Sequence, residues 1–213
     1  MMSQKTERLL PILLGQSVIP VLVIERLGDA VPVARALVEG GLKAIEITLR
    51  TPAALDAIHA VSEDVPDAIV GAGTILNGDQ YVSAEGAGAK FIVSPGLTGE
   101  LIDAAEDSDV PLLPGAITPS ELMGALEEGY QCLKFFPATA AGGIDFVKSL
   151  ASPFAEVKFC PTGGISQNNA ADWLKLPNVV CIGGSWVAPK KLIDAGDFKA
   201  ITELARNATK LTA

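Results

Sequence analysis

A single (β/α)8 barrel of the α/β class is predicted by three features of the sequence. Short β-branched runs recur, each is followed by a stretch of helical periodicity, and the alternation reaches the C-terminus with no linker or shift in composition. The runs number eight, at 18–24, 43–48, 68–73, 91–94, 111–114, 131–136, 157–160 and 179–182. Eight such units in 213 residues fit a closed TIM barrel near the short end of its size range, with the whole chain, 1–213, as one domain.

The elements follow in order. At the N-terminus Lys5 and Arg8 precede Leu9, Leu10, Ile12, Leu13 and Leu14, as in a signal peptide. Pro11, Gly15 and the missing small-residue cleavage site predict instead a short amphipathic helix, about 3–15, that packs on the body. Later helices are expected to start at Gly28-Asp29, Thr51-Pro52, Thr98, Thr118-Pro119 and Ser166, where a side-chain acceptor or a proline suits the first turn. Glycine-bearing segments follow the strands: 71–74, 94–96, 114–115, 162–164 and 183–185. In a barrel they ring the C-terminal mouth, where a glycine lets a ligand approach the backbone.

Composition narrows the function. Apolar residues make up 49% of the chain and charged ones 19%, which favours a soluble protein with a large core over disorder or a membrane span. A net charge of −9 with no basic run argues against nucleic acid and anionic lipid as partners. It would also repel an anionic substrate, so any anion site must be built locally. Cys132, Cys160 and Cys181 are odd in number and lie in apolar stretches, so they read as reduced core thiols of a cytoplasmic protein. The one histidine, His59, reads as a surface or packing residue, and it cannot supply a catalytic triad or a His-rich metal site.

Lys134 is the most informative residue. It interrupts the apolar strand 132–137, where an ammonium is costly unless it is paired or faces a cavity. Desolvation favours the neutral amine, which is the nucleophile of Schiff-base chemistry. A lysine snorkelling from the strand end is the bland alternative. Strand parity puts Cys132, Lys134 and Phe136 on one face, and likewise Glu46, Thr48 and Arg50, with Ile45, Ile47 and Leu49 turned to the helices. Glu46 and Arg50 could form a core ion pair, or one could move protons while the other holds a carboxylate bidentately. Thr74 and Thr162 end their strands with hydroxyls at the mouth. Thr162-Gly163-Gly164 and Gly183-Gly184-Ser185 follow the seventh and eighth strands, where barrels frequently bind phosphate through amides. No nucleotide-binding glycine motif follows a strand.

Six ordered motifs, 46–50, 70–74, 94–96, 134–138, 159–164 and 183–186, together resemble the bacterial 2-keto-3-deoxy-6-phosphogluconate (KDPG) aldolases and their 4-hydroxy-2-oxoglutarate (KHG) relatives over nearly the whole chain. The resemblance implies a class I aldolase of the Entner–Doudoroff pathway that needs no cofactor and no metal, works as a homotrimer, and yields pyruvate and glyceraldehyde 3-phosphate. Matched motif by motif, Lys134 would form the imine and Glu46 would transfer protons. Arg50 and Thr74 would bind the substrate carboxylate, Pro95 and Phe136 would wall the pyruvyl unit, and Thr162 would meet a hydroxyl. Gly163, Gly164, Gly184 and Ser185 would take the phosphate. Where many relatives continue Pro-Ala-Glu, this chain has Pro137-Ala138-Thr139, which removes a carboxylate near the mouth. Competing readings are a relative specific for the 6-phosphogalactonate epimer, a phosphosugar isomerase or epimerase on the same barrel, and a non-catalytic keto-acid sensor.

Overall fold

The computed structural model describes residues 4–211; the expected helix start near residue 3 and the side chain of Lys5 lie outside the described part. Helix α1 (Gln4–Leu14) precedes strands β1 (Val18–Leu22), β2 (Ala44–Thr48), β3 (Ile69–Gly73), β4 (Ile92–Val93), β5 (Leu112–Leu113), β6 (Cys132–Phe135), β7 (Lys158–Pro161) and β8 (Ile182–Gly184). Between them run α2 (Leu27–Glu39), α3 (Ala54–Asp64), α4 (Gly78–Gly86), α5 (Gly99–Glu106), α6 (Pro119–Glu127), α7 (Gly143–Leu150) and α8 (Ala170–Leu174), and α9 (Lys190–Asp194) and α10 (Phe198–Ala208) follow β8.

Six strands pair in the order β5-β4-β3-β2-β1-β8, and β6 pairs with β7. The ladders are parallel. Bridges close the ring, Gly115 to Lys134 after β5, and Phe159 to Val179 and Thr162 to Gly183 beside β8. The result is the expected (β/α)8 barrel.

Its last strand differs from expectation. The β-branched run 179–182 is buried apart from the half-buried Val180, yet the ladder with β1 starts only at Ile182, opposite Val18. Between the two bridges three residue steps on β7 face four on β8, so the chain bulges over 180–181 and the glycines enter the strand. β-Branched composition there marks burial rather than ladder position.

Two expected helix starts hold. Thr98 accepts from the Leu101 N–H, and Thr118 with Glu121 forms a full capping box at α6. Those two backbone amides at Thr118 and Ile117, with Thr118's hydroxyl, hold the Glu121 carboxyl below its ordinary value. Two others move. Thr51 donates its hydroxyl to the Ile24 carbonyl at 2.5 Å instead of capping, so α3 begins at Ala54. Ser166 is held by the Asn169 side chain, and α8 begins at Ala170. Gly28 and Asp29 fall inside the first turn of α2.

The core has two layers. Ile45, Ile47, Val70 and Ile92 pack outward against the helices. Inside the barrel, Ile19, Ala44, Phe91, Val93, Leu113 and the three thiols form a separate cluster, and Leu9 and Leu13 of α1 cap it at the N-terminal end. The hydroxyl of Thr6 accepts from the Gln131 N–H at 3.3 Å and Arg8 pairs with Asp109 at 2.6 Å, which seats that helix as the amphipathic pattern requires. The cysteines are buried and free. Burial pushes the Cys132 thiol up to about 11, and a hydrogen bond with Cys160, with burial, raises Cys181 well above the ordinary value. His59 lies exposed on α3. No helix among the described residues is long and apolar enough to cross a membrane.

Candidate active site

β2 and β6 stand opposite each other in the ring of eight, so inward side chains on the two meet across the interior. Glu46 and Lys134 do so. The Lys134 Nζ donates to Glu46 Oε1 at 3.3 Å, with side-chain exposures of 4% and 3%. Nζ also lies 5.4 Å from the centre of the Phe136 ring, two residues on along the same face. The lysine is therefore paired within the barrel, and it does not snorkel from a strand end. A buried pair of this kind is a weak source of stability, because desolvating both ions offsets much of their attraction. It is a good arrangement for proton transfer, since one heavy-atom contact separates the donor from the acceptor.

Thr48 points inward as parity requires, and its hydroxyl donates to the Leu22 carbonyl at 2.9 Å, tying the ends of β1 and β2 together. Arg50 departs from the parity argument. It lies past the end of β2 and is exposed, so its position comes from the loop and not from strand alternation. Its Nε donates to Thr74 Oγ1 at 2.9 Å, and among the described residues it has no carboxylate partner. The other guanidinium N–H groups are left for a planar anion. Thr74 itself adopts φ +60°, a left-handed backbone that a β-branched residue takes only under constraint. Neighbouring cations are occupied: Lys190 bridges Glu25 and Asp194, and Arg26 pairs with Asp29.

Pro95 and Phe136 are half-buried at the mouth, and Thr162 is buried at its base. Gly163 and Gly164 adopt φ +102° and +75°, and Ser185 is exposed directly after β8. Among the described residues, no acceptor takes the amide hydrogens of Gly164 or Ser185. Unsatisfied N–H groups gathered on two adjacent loops suit an anion.

Several mouth glycines have a use that the sequence did not disclose. A β-carbon on Gly73 would overlap Glu46 Oε1, one on Gly183 would overlap the Thr162 hydroxyl, and one on Gly184 would overlap the Trp186 ring. Gly71 makes room for Phe91 in the same way, and Gly115 for the Pro95 backbone. These glycines admit the protein's own side chains and, at Gly115, its own backbone. Gly73 thus has a role beside Glu46 that the sequence did not disclose, although its place immediately before Thr74 on the neighbouring strand was visible. Among the described residues, no group of three or more His, Cys, Asp or Glu side chains is placed to hold a metal ion.

Residues 11–204 match the family model described as KDPG and KHG aldolase. The KHG/KDPG aldolase of Escherichia coli strain K12 is 51% identical over 91% of each chain. Among solved structures, the KDPG aldolase of Legionella pneumophila, with pyruvate captured at low pH as a covalent carbinolamine intermediate, superposes with a TM-score of 0.92. It is 44% identical and covers 97% of this chain and 98% of its own. The 2-keto-3-deoxy-6-phosphogluconate aldolase of Zymomonas mobilis ZM4, solved with 3-phosphoglycerate, has a TM-score of 0.90 at 45% identity, covering 100% of this chain and 98% of its own. On the match over most of its length, and with a buried lysine–glutamate pair across the barrel, the chain belongs to the KDPG and KHG aldolase family of lyases.

Proposed function

We propose that this protein is a class I aldolase that cleaves 2-keto-3-deoxy-6-phosphogluconate to pyruvate and glyceraldehyde 3-phosphate through an imine on Lys134, and that it also accepts 4-hydroxy-2-oxoglutarate. The observation that carries the reading is the buried Lys134 Nζ at 3.3 Å from Glu46 Oε1. A nucleophilic amine needs a nearby group to take its proton, and a retro-aldol step needs a base at the C4 hydroxyl and an acid at C3. One carboxylate touching one lysine can serve each step in turn.

Glu46 accepts a proton from Lys134, and the free amine adds to the C2 carbonyl to give a carbinolamine. Loss of water, with a proton returned to the departing hydroxyl, leaves an iminium. Glu46 then takes the proton of the C4 hydroxyl as the C3–C4 bond breaks. The bonding pair moves into a C2–C3 double bond and onto nitrogen, giving an enamine and releasing the aldehyde. Protonation of C3 by Glu46 and addition of water to C2 free pyruvate and restore Lys134.

The remaining roles follow the substrate's two anionic ends. Arg50 and Thr74 bind the carboxylate, supported by a guanidinium that has no ionic partner among the described residues. Pro95 and Phe136 enclose the pyruvyl unit, and Thr162 meets a hydroxyl. Gly163, Gly164, Gly184 and Ser185 bind the phosphate, supported by the amides of Gly164 and Ser185, which have no acceptor among the described residues. The catalytic unit is the whole chain, 1–213, acting as a cytoplasmic homotrimer. The test is borohydride reduction in the presence of pyruvate, followed by peptide mass mapping. A reduced pyruvyl adduct on Lys134, absent from Lys134→Ala, is the expected result; an adduct elsewhere, or none, overturns the imine assignment.

A further inference from the structure

We propose that the Thr139 hydroxyl is an additional ligand for the substrate's phosphate and sets the preference for phosphorylated over unphosphorylated keto-acids. The inference rests on the phosphate reading of the two glycine loops. Thr139 lies in the loop after β6, which two backbone bonds pin to the loop after β7. The Ala138 N–H donates to the Thr162 carbonyl at 2.8 Å, and the Thr139 N–H donates to the Gly163 carbonyl at 3.1 Å. Ala138 is fully buried, so the loop has little freedom to lift away.

Pinned in this way, Thr139 lays its side chain on the Gly163–Gly164 turn. A β-carbon on Gly164 would stand 2.5 Å from Thr139 Oγ1 and 2.6 Å from its Cβ, so the hydroxyl rests directly over Gly164. No hydrogen bond within the protein engages that hydroxyl among the described residues, and Thr139 is exposed to solvent. A neutral donor thus stands free against Gly164, whose backbone amide has no acceptor among the described residues. An anion held by that amide comes within reach of Oγ1, which adds a charge-assisted hydrogen bond and brings no carboxylate near a dianion. A substrate lacking the phosphate gains nothing from it.

The measurement is the ratio of kcat/KM for 2-keto-3-deoxy-6-phosphogluconate to that for unphosphorylated 2-keto-3-deoxygluconate. Thr139→Val keeps the branched shape packed on Gly164 and removes only the hydroxyl. The ratio is expected to fall roughly tenfold, chiefly through KM of the phosphorylated substrate. Thr139→Ser keeps the hydroxyl and is expected to hold the ratio within about twofold of the parent. An unmoved ratio in Thr139→Val, or an equal fall in both variants, overturns the role of the hydroxyl. The parent enzyme's own ratio separates the two levels of failure. If the parent prefers the phosphorylated substrate and Thr139→Val keeps that preference, only the Thr139 assignment falls; if the parent shows no preference, the phosphate reading of the loops falls as well.

Discussion

The two ends of the barrel interior are built from the same strands and share almost no chemistry. At the N-terminal end Cys132 of β6 packs with Ile19, Ala44, Phe91 and the leucines of α1 in a sealed apolar plug. Two residues further along the same strand, Lys134 faces Glu46 in the only ion pair among the described residues with both members buried. The contrast shows how a barrel reconciles rigidity with polarity. The dry half holds the strands in register, and the costly charges are confined to one layer above it, where each has the other as partner.

Substitutions at each end sharpen that comparison, from the largest expected effect downward. Glu46→Gln keeps the shape beside Lys134 but removes the base, so kcat should drop about 100- to 1,000-fold in steady-state assays while slow pyruvate trapping on Lys134 persists. Undiminished turnover would move the proton-transfer role elsewhere. At the plug, Leu13→Ala empties a fully buried site and should cost about 2 to 4 kcal/mol in urea denaturation, with kcat altered less than about twofold.

Alkaline pH probes the same plug. The Cys132 thiol is raised to about 11 in the folded protein, so it resists ionisation there while the unfolded chain ionises from its ordinary value upward. Stability is thus fully present below the unfolded value and is lost as pH rises toward 11. The wild type should lose about 1 to 2 kcal/mol more than Cys132→Ala between pH 7 and pH 10 in urea titrations. The smallest effect belongs outside the barrel. Glu121 has a lowered carboxyl in the capping box of α6, so its contribution is present above the unfolded value and fades as pH falls through the folded one. Glu121→Gln should cost under about 1 kcal/mol at pH 7 and less at pH 3, read from thermal midpoints.

The sequence disclosed most of the barrel because its signals were local: β-branched runs, cap residues at Thr98 and Thr118, and parity in β2 and β6. The expected strand at 179–182 was displaced since hydrophobicity reports burial, while the β8 ladder depends on how β7 and β1 offer their edges. Lys134 and Glu46 were legible as charges inside apolar strands. Arg50 was placed by strand parity, which does not apply past the strand end; its hydrogen bond to Thr74, 24 residues away, is visible only in three dimensions. The glycines were seen, but only the folded chain shows what stands opposite a missing β-carbon, as with Gly73 and Glu46.

The seating of α1 has a consequence for the order in which the molecule can assemble. Its anchors, Asp109 for Arg8 and Gln131 for Thr6, lie 101 and 125 residues away along the chain. The helix precedes both anchors in synthesis, yet it cannot complete its seat until β6 has formed beside β5. Closing so long a loop is entropically costly and rewarded late, so this helix is among the last elements to find its place.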